Sequence, residues 1–198
     1  MKSKVSIDEN DKAFHTTNKL VLFGDSLFGR CGKHLVLALE KKLNGQFDVY
    51  NCATGGWDSD DLVKKAPYIA SLEPEVAIIS VGTNDACSWK RVGLSDYRQN
   101  LESVLNSFKN TQIIFFPPPP VHEISRTTEK QISNKDMKNY NDAVLEICRQ
   151  RGIAYVDSWK LFMPLQDRDE SYHIEDGVHL NDHAYEMLFE AIAEVLKS

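Results

Sequence analysis

The sequence predicts an α/β domain in which helices cover both faces of a parallel sheet. Strand-like and helix-like segments alternate along the chain, which is the pattern of repeated β-α units joined by right-handed crossovers. Three of the strand-like segments are nearly continuous apolar runs, as expected for strands that are buried on both faces of such a sheet. With 198 residues and neither an internal repeat nor a linker, the chain is predicted to form one domain.

Five segments are predicted to be strands, because each is short, rich in Val, Ile and Phe, and bounded by Gly, Pro, Asn or Asp. They are Lys19–Gly24, Phe47–Cys52, Val76–Gly82, Gln112–Phe116 and Ile153–Asp157. The residues before the first strand are polar and mixed in charge. We therefore predict a flexible N-terminal arm over residues 1–18 and a single domain over residues 19–198.

Five further segments have the period of a helix: Gly32–Leu43, Ser59–Ser71, Tyr97–Lys109, Asp136–Arg151 and Asp182–Lys197. The last has the clearest period, because its apolar residues recur three and four positions apart and form one face. Ser95 or Asp96 is predicted to cap the third helix, and Asn181 or Asp182 the fifth. Val121–Asn134 is predicted to be a long surface connection.

Composition and charge limit the classes of partner. Hydrophobic residues make up 42% of the chain and charged residues 26%, and the formal net charge is −6 with no long basic run, which argues against nucleic acid as the main partner. No segment has the length of a membrane span and the N-terminus lacks the apolar core of a signal peptide, so we expect no membrane insertion and a cytoplasmic location. The four cysteines are far apart, as is typical of reduced thiols.

Ligands of such sheets bind at the carboxyl ends of the strands, and the polar loops of this chain follow those ends. The loops are Gly24–Phe28, Ala53–Asp58, Gly82–Trp89, Pro117–His122 and Trp159–His179. Ser26 lies in the first of them and His179 in the last. The fold is therefore predicted to bring these two residues to the same rim of the sheet, although they are far apart in sequence.

Ser26, Asp176 and His179 are the residue types that serine-based acyl transfer requires. A serine hydroxyl is a weak nucleophile and needs an adjacent general base, for which His179 is the candidate. Asp176 precedes it by three positions in a turn and is the candidate to accept a hydrogen bond from the other ring nitrogen. Asp25 also lies beside Ser26, but we interpret it as structural: its carboxylate is expected to accept backbone hydrogen bonds that shape the turn after the first strand.

The same rim offers donors for an oxyanion and side chains for a substrate. The donors are the backbone N–H groups of Ser26 and of Gly55 or Gly56, with the Asn84 side-chain amide. Residues expected to bind substrate, as an apolar wall with one histidine, are Leu27, Trp57, Trp89 and His122.

A metal site is the alternative for the histidine-rich end of the chain. His179 and His183 are four residues apart, and His173 is near in sequence. However, the last helix is predicted to begin at Asn181 or Asp182, which leaves His179 outside it, and the His-Glu-x-x-His pattern is missing from the sequence. We therefore expect no metal.

Four short blocks together resemble those of the SGNH or GDSL hydrolases. Gly24-Asp25-Ser26-Leu27 has the letters that name the GDSL group, and three further blocks follow in the order and at spacings comparable to those of the family: Asn51–Gly56, Gly82–Asp85 and Asp176–His179. The resemblance implies that the second block supplies a glycine N–H to the oxyanion, with Gly56 the better match and Gly55 the alternative. It implies that Asn84 is the other donor, and that the last block carries the acid and the base.

The resemblance also implies a fold and a reaction. The fold is a three-layer α/β/α sandwich with a flavodoxin-like parallel five-stranded sheet in the order 2-1-3-4-5. The reaction is hydrolysis of esters, thioesters or amides with no metal or other cofactor. Trp57 departs from the pattern, since many members carry Asp or Asn after the glycine pair.

We therefore interpret the chain as a serine esterase whose partner is a small-molecule ester, with acetyl or other short acyl groups expected. An acyltransferase, a thioesterase or a lysophospholipase would use the same triad. A non-catalytic flavodoxin-like binding module is the alternative from another class, because such sheets bind flavin or phosphate at the same edge. Against it, the loop after the first strand lacks the Ser, Thr and Gly run of a phosphate-binding loop.

Overall fold

The structure is a computed structural model that describes residues 18–123, 131–166, 168 and 170–197. Strands and helices alternate along the chain, as the sequence predicts. In order they are β1 (Asn18–Gly24), α1 (Ser26–Gly29), α2 (Lys33–Lys42), β2 (Phe47–Asn51), α3 (Ser59–Ala70), β3 (Val76–Ser80), α4 (Thr83–Ala86), α5 (Leu94–Ser107), β4 (Gln112–Phe115), α6 (Asn134–Arg151), β5 (Ala154–Tyr155), α7 (Ser158–Gln166) and α8 (Asp182–Lys197).

The five strands form one sheet in the order β2-β1-β3-β4-β5, and all of its pairings are parallel. This confirms both the fold class and the strand order that the family resemblance implies. The fifth strand is shorter than the predicted Ile153–Asp157, because it pairs with β4 only at Ala154 and Tyr155, at the edge of the sheet.

Helices cover both faces of the sheet, which completes the three layers. The alternation of side chains along β1 makes this visible: Leu20 and Leu22 belong to the core beneath α2 and α8, whereas Val21 and Phe23 belong to the core beneath α3, α5 and α6. All four side chains are fully buried. A strand with both faces buried has no polar alternation, which is why its sequence is a continuous apolar run.

The five predicted helices are present, but one predicted cap is wrong. Gly93, not Ser95 or Asp96, precedes α5, and the Tyr97 N–H donates to Gly93 O at 2.8 Å. Asn181 does cap α8, since its side-chain Oδ1 accepts the Ala184 N–H at 2.9 Å.

Three helices were not predicted from the sequence. Two of them, α1 and α4, have only four residues each, too few to show a helical period. The third, α7, occupies residues 158–166, so the prediction of a loop over Trp159–His179 is wrong for its first part.

Two predicted connecting segments lie partly outside the described residues. Of the predicted arm, residues 1–17 are outside them, while Asn18 pairs with Phe47 as the first residue of β1. Of the predicted surface connection, residues 124–130 are outside them; Val121 is buried and Asn134 begins α6. Across the described ranges, no helix combines the length and the apolar character needed to cross a membrane.

Candidate active site

Ser26 is held at the carboxyl edge of the sheet by the turn between β1 and α1. At Gly24 the backbone has φ +152°, and a Cβ atom there would lie 1.8 Å from Ser80 O, so only glycine allows β1 to approach β3 this closely. The Asp25 N–H donates to Ser80 O at 3.0 Å, and Asp25 Oδ1 accepts the Leu27 N–H at 2.9 Å. This carboxylate caps α1 as predicted, and Ser26 becomes the first residue of that helix.

The turn before α8 brings Asp176 and His179 to Ser26. Asp176 Oδ1 accepts the backbone N–H groups of Val178 and His179, both at 2.9 Å, which fixes the carboxylate within its own turn. Asp176 Oδ2 then lies 2.6 Å from His179 Nδ1, and His179 Nε2 lies 2.7 Å from Ser26 Oγ. With the proton on Nδ1, the imidazole donates to Asp176 and accepts from the Ser26 hydroxyl.

The electrostatics of this group keep Asp176 ionised. Burial of the carboxyl acts to raise its pKa, but the two backbone N–H donors and His179 outweigh it, so the pKa of Asp176 is lowered from its usual value. The guanidinium of Arg30, half-exposed, lies 3.8 Å from Asp176 Oδ2. An ionised carboxylate beside Nδ1 favours the tautomer in which Nε2 is free to accept a proton.

The candidate oxyanion donors lie at the start of α1, on the loop after β2 and on α4. A Cβ atom at Gly55 would lie 3.7 Å from Ser26 Cβ, so this loop passes directly beside the serine. The backbone N–H groups of Ser26 and Gly56 have no hydrogen-bond acceptor within the described part of the chain. Asn84 is 8% exposed, and its side-chain amide donates to Trp57 O at 2.7 Å, which leaves its second N–H for another acceptor.

The four predicted substrate-binding residues divide into two pairs. Leu27 is 1% exposed within the core, and the ring of Trp57 meets that of Phe23 edge-on with centroids 6.3 Å apart. Trp89 is 62% exposed, and His122 is exposed with its backbone N–H donating to Gly177 O at 2.8 Å. Leu27 and Trp57 thus pack on the core, whereas Trp89 and His122 present their side chains to solvent; substrate contact stays a prediction for all four.

The three histidines of the candidate metal site lie in different surroundings. His183 lies on α8 and is exposed, whereas His179 precedes the helix. His173 is buried, with Nε2 3.0 Å from Pro120 O, and burial lowers the pKa of its imidazole to about 4. Among the described residues, no three His, Cys, Asp or Glu side chains are grouped so that they could hold a metal ion.

Comparison with known proteins identifies the family. Residues 22–187 match the GDSL-like Lipase/Acylhydrolase family. The chain belongs to this family. It is 27% identical over 204 residues to the GDSL esterase/lipase CPRD49 of Arabidopsis thaliana, which covers 90% of this chain and 78% of that protein. It is 28% identical over 198 residues to the human isoamyl acetate-hydrolyzing esterase 1 homolog, covering 86% of this chain and 78% of the relative.

Solved structures agree on the fold. A lipase/acylhydrolase from Enterococcus faecalis superposes with a TM-score of 0.82 at 22% identity, covering 91% of this chain and 95% of its own. The acetyl xylan esterase AlAXEase superposes with a TM-score of 0.75 at 17% identity, covering 90% and 99%. The resemblance to SGNH or GDSL hydrolases is therefore confirmed, and the protein is an ester-bond hydrolase of the GDSL family.

Two buried carboxyl groups of this GDSL hydrolase lie close enough to interact electrostatically, which the sequence did not predict. Asp25 is fully buried under the turn that carries Ser26, and Asp85 follows Asn84 on α4. Both Asp85 oxygens face the Ser59 N–H, at 3.0 and 3.2 Å, which joins α4 to α3. Burial raises the pKa of Asp25 to about 7 and that of Asp85 to about 6. Both belong to the blocks described above, Gly24–Leu27 and Gly82–Asp85, but their proximity depends on the tertiary fold.

The raised pKa of Asp25 predicts that the free energy of unfolding depends on pH and that Asp25→Asn makes this dependence weaker. Because the folded-state pKa lies above the ordinary value of 3.8, the folded protein binds more protons than the unfolded chain between about pH 4 and pH 7. Stability contributed by the protonated form is therefore lost as pH rises through this window. Asparagine keeps the cap on the Leu27 N–H but does not ionise, so we expect a smaller fall in the free energy of unfolding between about pH 4 and pH 8.

Urea unfolding of the wild type and of Asp25→Asn at both pH values measures this difference. Asp142→Asn is the matched control, because Asp142 is an exposed residue paired with Lys138 on the surface of α6. That variant is expected to keep the wild-type pH dependence. If the free energy of unfolding of Asp25→Asn fell as steeply with pH as that of the wild type, Asp25 would not titrate in this window.

Proposed function

We propose that the protein is a serine esterase that hydrolyses small carboxylic esters through an acyl-enzyme intermediate. The observation that carries this proposal is the unbroken line of hydrogen-bond distances from Asp176 through His179 to Ser26, 2.6 and 2.7 Å long. Each member has the partner that its role requires: the nucleophile has a base, and the base has an orienting carboxylate. A binding module would not need this arrangement.

In the acylation step, the Ser26 Oγ attacks the ester carbonyl while His179 Nε2 takes its proton. The new Oγ–C bond gives a tetrahedral intermediate, which collapses when the bond to the leaving alcohol breaks and His179 returns the proton to that alcohol. Asp176 keeps Nδ1 protonated throughout and stabilises the imidazolium. In the second step, a water oxygen attacks the acyl carbon while His179 Nε2 takes a proton from the water. The second tetrahedral intermediate collapses when the bond from the acyl carbon to Ser26 Oγ breaks, and His179 returns the proton to Oγ as the acid leaves.

Acylation and deacylation each pass through a tetrahedral intermediate, and its negative charge lies on the former carbonyl oxygen of the ester. The Ser26 and Gly56 backbone N–H groups and the Asn84 amide are the donors we assign to it. Three features support this assignment: the two N–H groups have no acceptor among the described residues, the loop passes beside Ser26, and Asn84 is held in place by its bond to Trp57 O.

Acetyl or other short acyl esters are the proposed substrates. By name, one relative is an isoamyl acetate-hydrolyzing esterase homolog and one structural neighbour an acetyl xylan esterase, and both names refer to acetyl esters. Trp89 and His122 are the side chains we assign to substrate contact, because both are exposed on the predicted rim. Leu27 and Trp57 pack on the core, and we assign to them a role in the shape of the site rather than exposed contact with substrate.

The proposal predicts covalent labelling of Ser26 together with a preference for short acyl chains. A fluorophosphonate probe should modify Ser26, as read by mass spectrometry of the digested protein. For p-nitrophenyl esters we expect kcat/KM to be at least about 10-fold higher for the acetate than for the octanoate. Heat-denatured protein is the control for the label.

The outcomes separate the proposal from its rivals. Turnover without a label on Ser26 would contradict the serine mechanism, and faster octanoate hydrolysis would favour a lipase-like acyl pocket. Added glycerol tests the acyltransferase: acetylglycerol formed in preference to acetate would mean that an alcohol, not water, is the natural acceptor.

A further inference from the structure

Lys90 connects two segments that carry proposed oxyanion donors. It lies in the turn after α4, the helix that contains Asn84. Its ammonium lies 2.5 Å from Gly56 O, 3.0 Å from Asp58 Oδ2 and 3.3 Å from Asp61 Oδ2. An ammonium has three N–H donors, so these three acceptors match its full capacity. The side chain thus ties the turn after α4 to the loop after β2 and to the start of α3.

Gly56 is less constrained than the residues before it, where the Thr54 N–H donates to Gly24 O at 3.0 Å and Gly29 packs closely against Gly55. On the side where a Cβ atom would lie, Gly56 has no heavy atom within 4 Å among the described residues, and its φ of +83° is one that glycine adopts at little cost. The next residue, Trp57, makes two hydrogen bonds. Its carbonyl oxygen accepts from the Asn84 side-chain amide at 2.7 Å, and its N–H donates to Thr54 O at 3.4 Å. With this side open, the hydrogen bonds at Gly56 O and at Trp57 contribute directly to the orientation of the Gly56 backbone.

Lys90 also neutralises two carboxylates at the start of α3. Asp58 and Asp61 cap that helix reciprocally, each accepting the other's backbone N–H, so their negative charges lie close together. Asp58 is buried, and the Lys90 side chain is 29% exposed. Burial acts to lower the pKa of Lys90, but the two carboxylates outweigh it and the pKa is raised, so the ammonium stays charged.

We propose that Lys90 is a positioning residue that holds the Gly56 backbone in the orientation required for oxyanion stabilisation. The proposal rests on the function proposed above, in which the Gly56 N–H and the Asn84 amide bind the same oxygen. Lys90 restrains the Gly56 carbonyl, Asn84 restrains the next carbonyl along the chain, and both side chains come from α4 or the turn that follows it. A displacement of about 1 Å in a catalytic donor lowers turnover by as much as about 100-fold.

A purely structural role for Lys90 would stabilise α3 and nothing more. Lys64 offers the matched control, because its ammonium lies 3.7 Å from Asp61 Oδ1 and makes no contact with Gly56. Lys64→Met removes one positive charge from the same carboxylate and leaves the Gly56 loop untouched. Lys90→Met removes the charge and the bond to Gly56 O together.

The experiment compares Lys90→Met, Lys64→Met and Asn84→Ala with the wild type. For each protein, kcat and KM for p-nitrophenyl acetate are measured below the thermal midpoint, and competent sites are counted by complete fluorophosphonate labelling of Ser26. For Lys90→Met we expect kcat per labelled site to fall about 10- to 100-fold with KM changed less than about threefold, since an oxyanion donor acts on the transition state. Lys64→Met should keep wild-type kcat.

Two results would overturn the proposal. One is a wild-type kcat per labelled site in Lys90→Met; the other is an equal loss in Lys64→Met, which would assign the effect to Asp61 and α3. If Lys90→Met keeps its kcat while Asn84→Ala loses about 100-fold, Lys90 has no positioning role and the proposed function stands. If Asn84→Ala also keeps its kcat, or Ser26 is never labelled, the failure lies in the proposed function itself.

Discussion

Alanine at position 26 is expected to lower kcat for p-nitrophenyl acetate by at least about 10,000-fold without unfolding the protein. The Ser26 Oγ is the only protein atom in the proposed mechanism that forms a bond to the acyl carbon. Its hydrogen-bond partner within the described part of the chain is His179 Nε2, at 2.7 Å, so its removal breaks no contact that holds the fold. The helix that carries it keeps its cap, because the bond from the Leu27 N–H to Asp25 is unchanged.

Steady-state kinetics of Ser26→Ala, with thermal unfolding to verify the fold, measure this effect. Ser103→Ala is the matched control, since Ser103 is exposed on α5 and its hydroxyl donates to Gln99 O within the same helix. The control should keep wild-type turnover. Turnover in Ser26→Ala within about 10-fold of the wild type would remove Ser26 as the nucleophile.

Cys87 is a second nucleophilic side chain near this site, and its environment argues against it as a substitute for Ser26. Cys87 is 3% exposed, and its thiol donates to Thr83 O at 3.1 Å. Burial raises the pKa of this thiol to about 11, with the charges of Asp25 and Asp85 adding to the rise. Because the thiolate is the reactive form, residual turnover in Ser26→Ala should not come from Cys87.

The sequence predicts the sheet and the larger helices because their signals are local. The apolar runs at β1 and β3 and the helical period of α8 each depend on residues that are close in sequence. The four polar blocks follow strand ends, so a parallel sheet brings them to one rim once its topology is fixed. This is enough to bring Ser26, Asp176 and His179 together.

What the sequence does not reveal depends on distant contacts or on very short elements. Gly93 precedes α5 without a capping side chain, whereas Ser95 and Asp96 have the residue types of a cap and misplace the boundary. The bond from Lys90 to Gly56 O joins residues 34 positions apart, and the sequence has no motif that marks it. The burial of Leu27 follows from the orientation of α1, which is too short to have a readable period.

Asp176→Asn is expected to lower kcat about 10,000-fold while the fold is retained. Asparagine can keep the Oδ1 that accepts the Val178 and His179 N–H groups, so the turn is preserved. Its amide nitrogen then replaces Oδ2 and presents an N–H donor to His179 Nδ1. The favoured tautomer of His179 then has its proton on Nε2, and a protonated Nε2 cannot accept the proton of the Ser26 hydroxyl.

Kinetics and proton NMR together test this reasoning. The 2.6 Å contact between Nδ1 and Asp176 Oδ2 should give the wild type a strongly downfield Nδ1–H resonance, which Asp176→Asn should lose. Glu175→Gln is the matched control, because it removes a carboxylate from the adjacent, exposed position of the same turn and should change neither kcat nor the resonance. If Asp176→Asn lost the resonance but kept its turnover, His179 would work as a base without an orienting carboxylate. The pair Ser26 and His179 would then be sufficient, and Asp176 would serve only to shape the turn before α8.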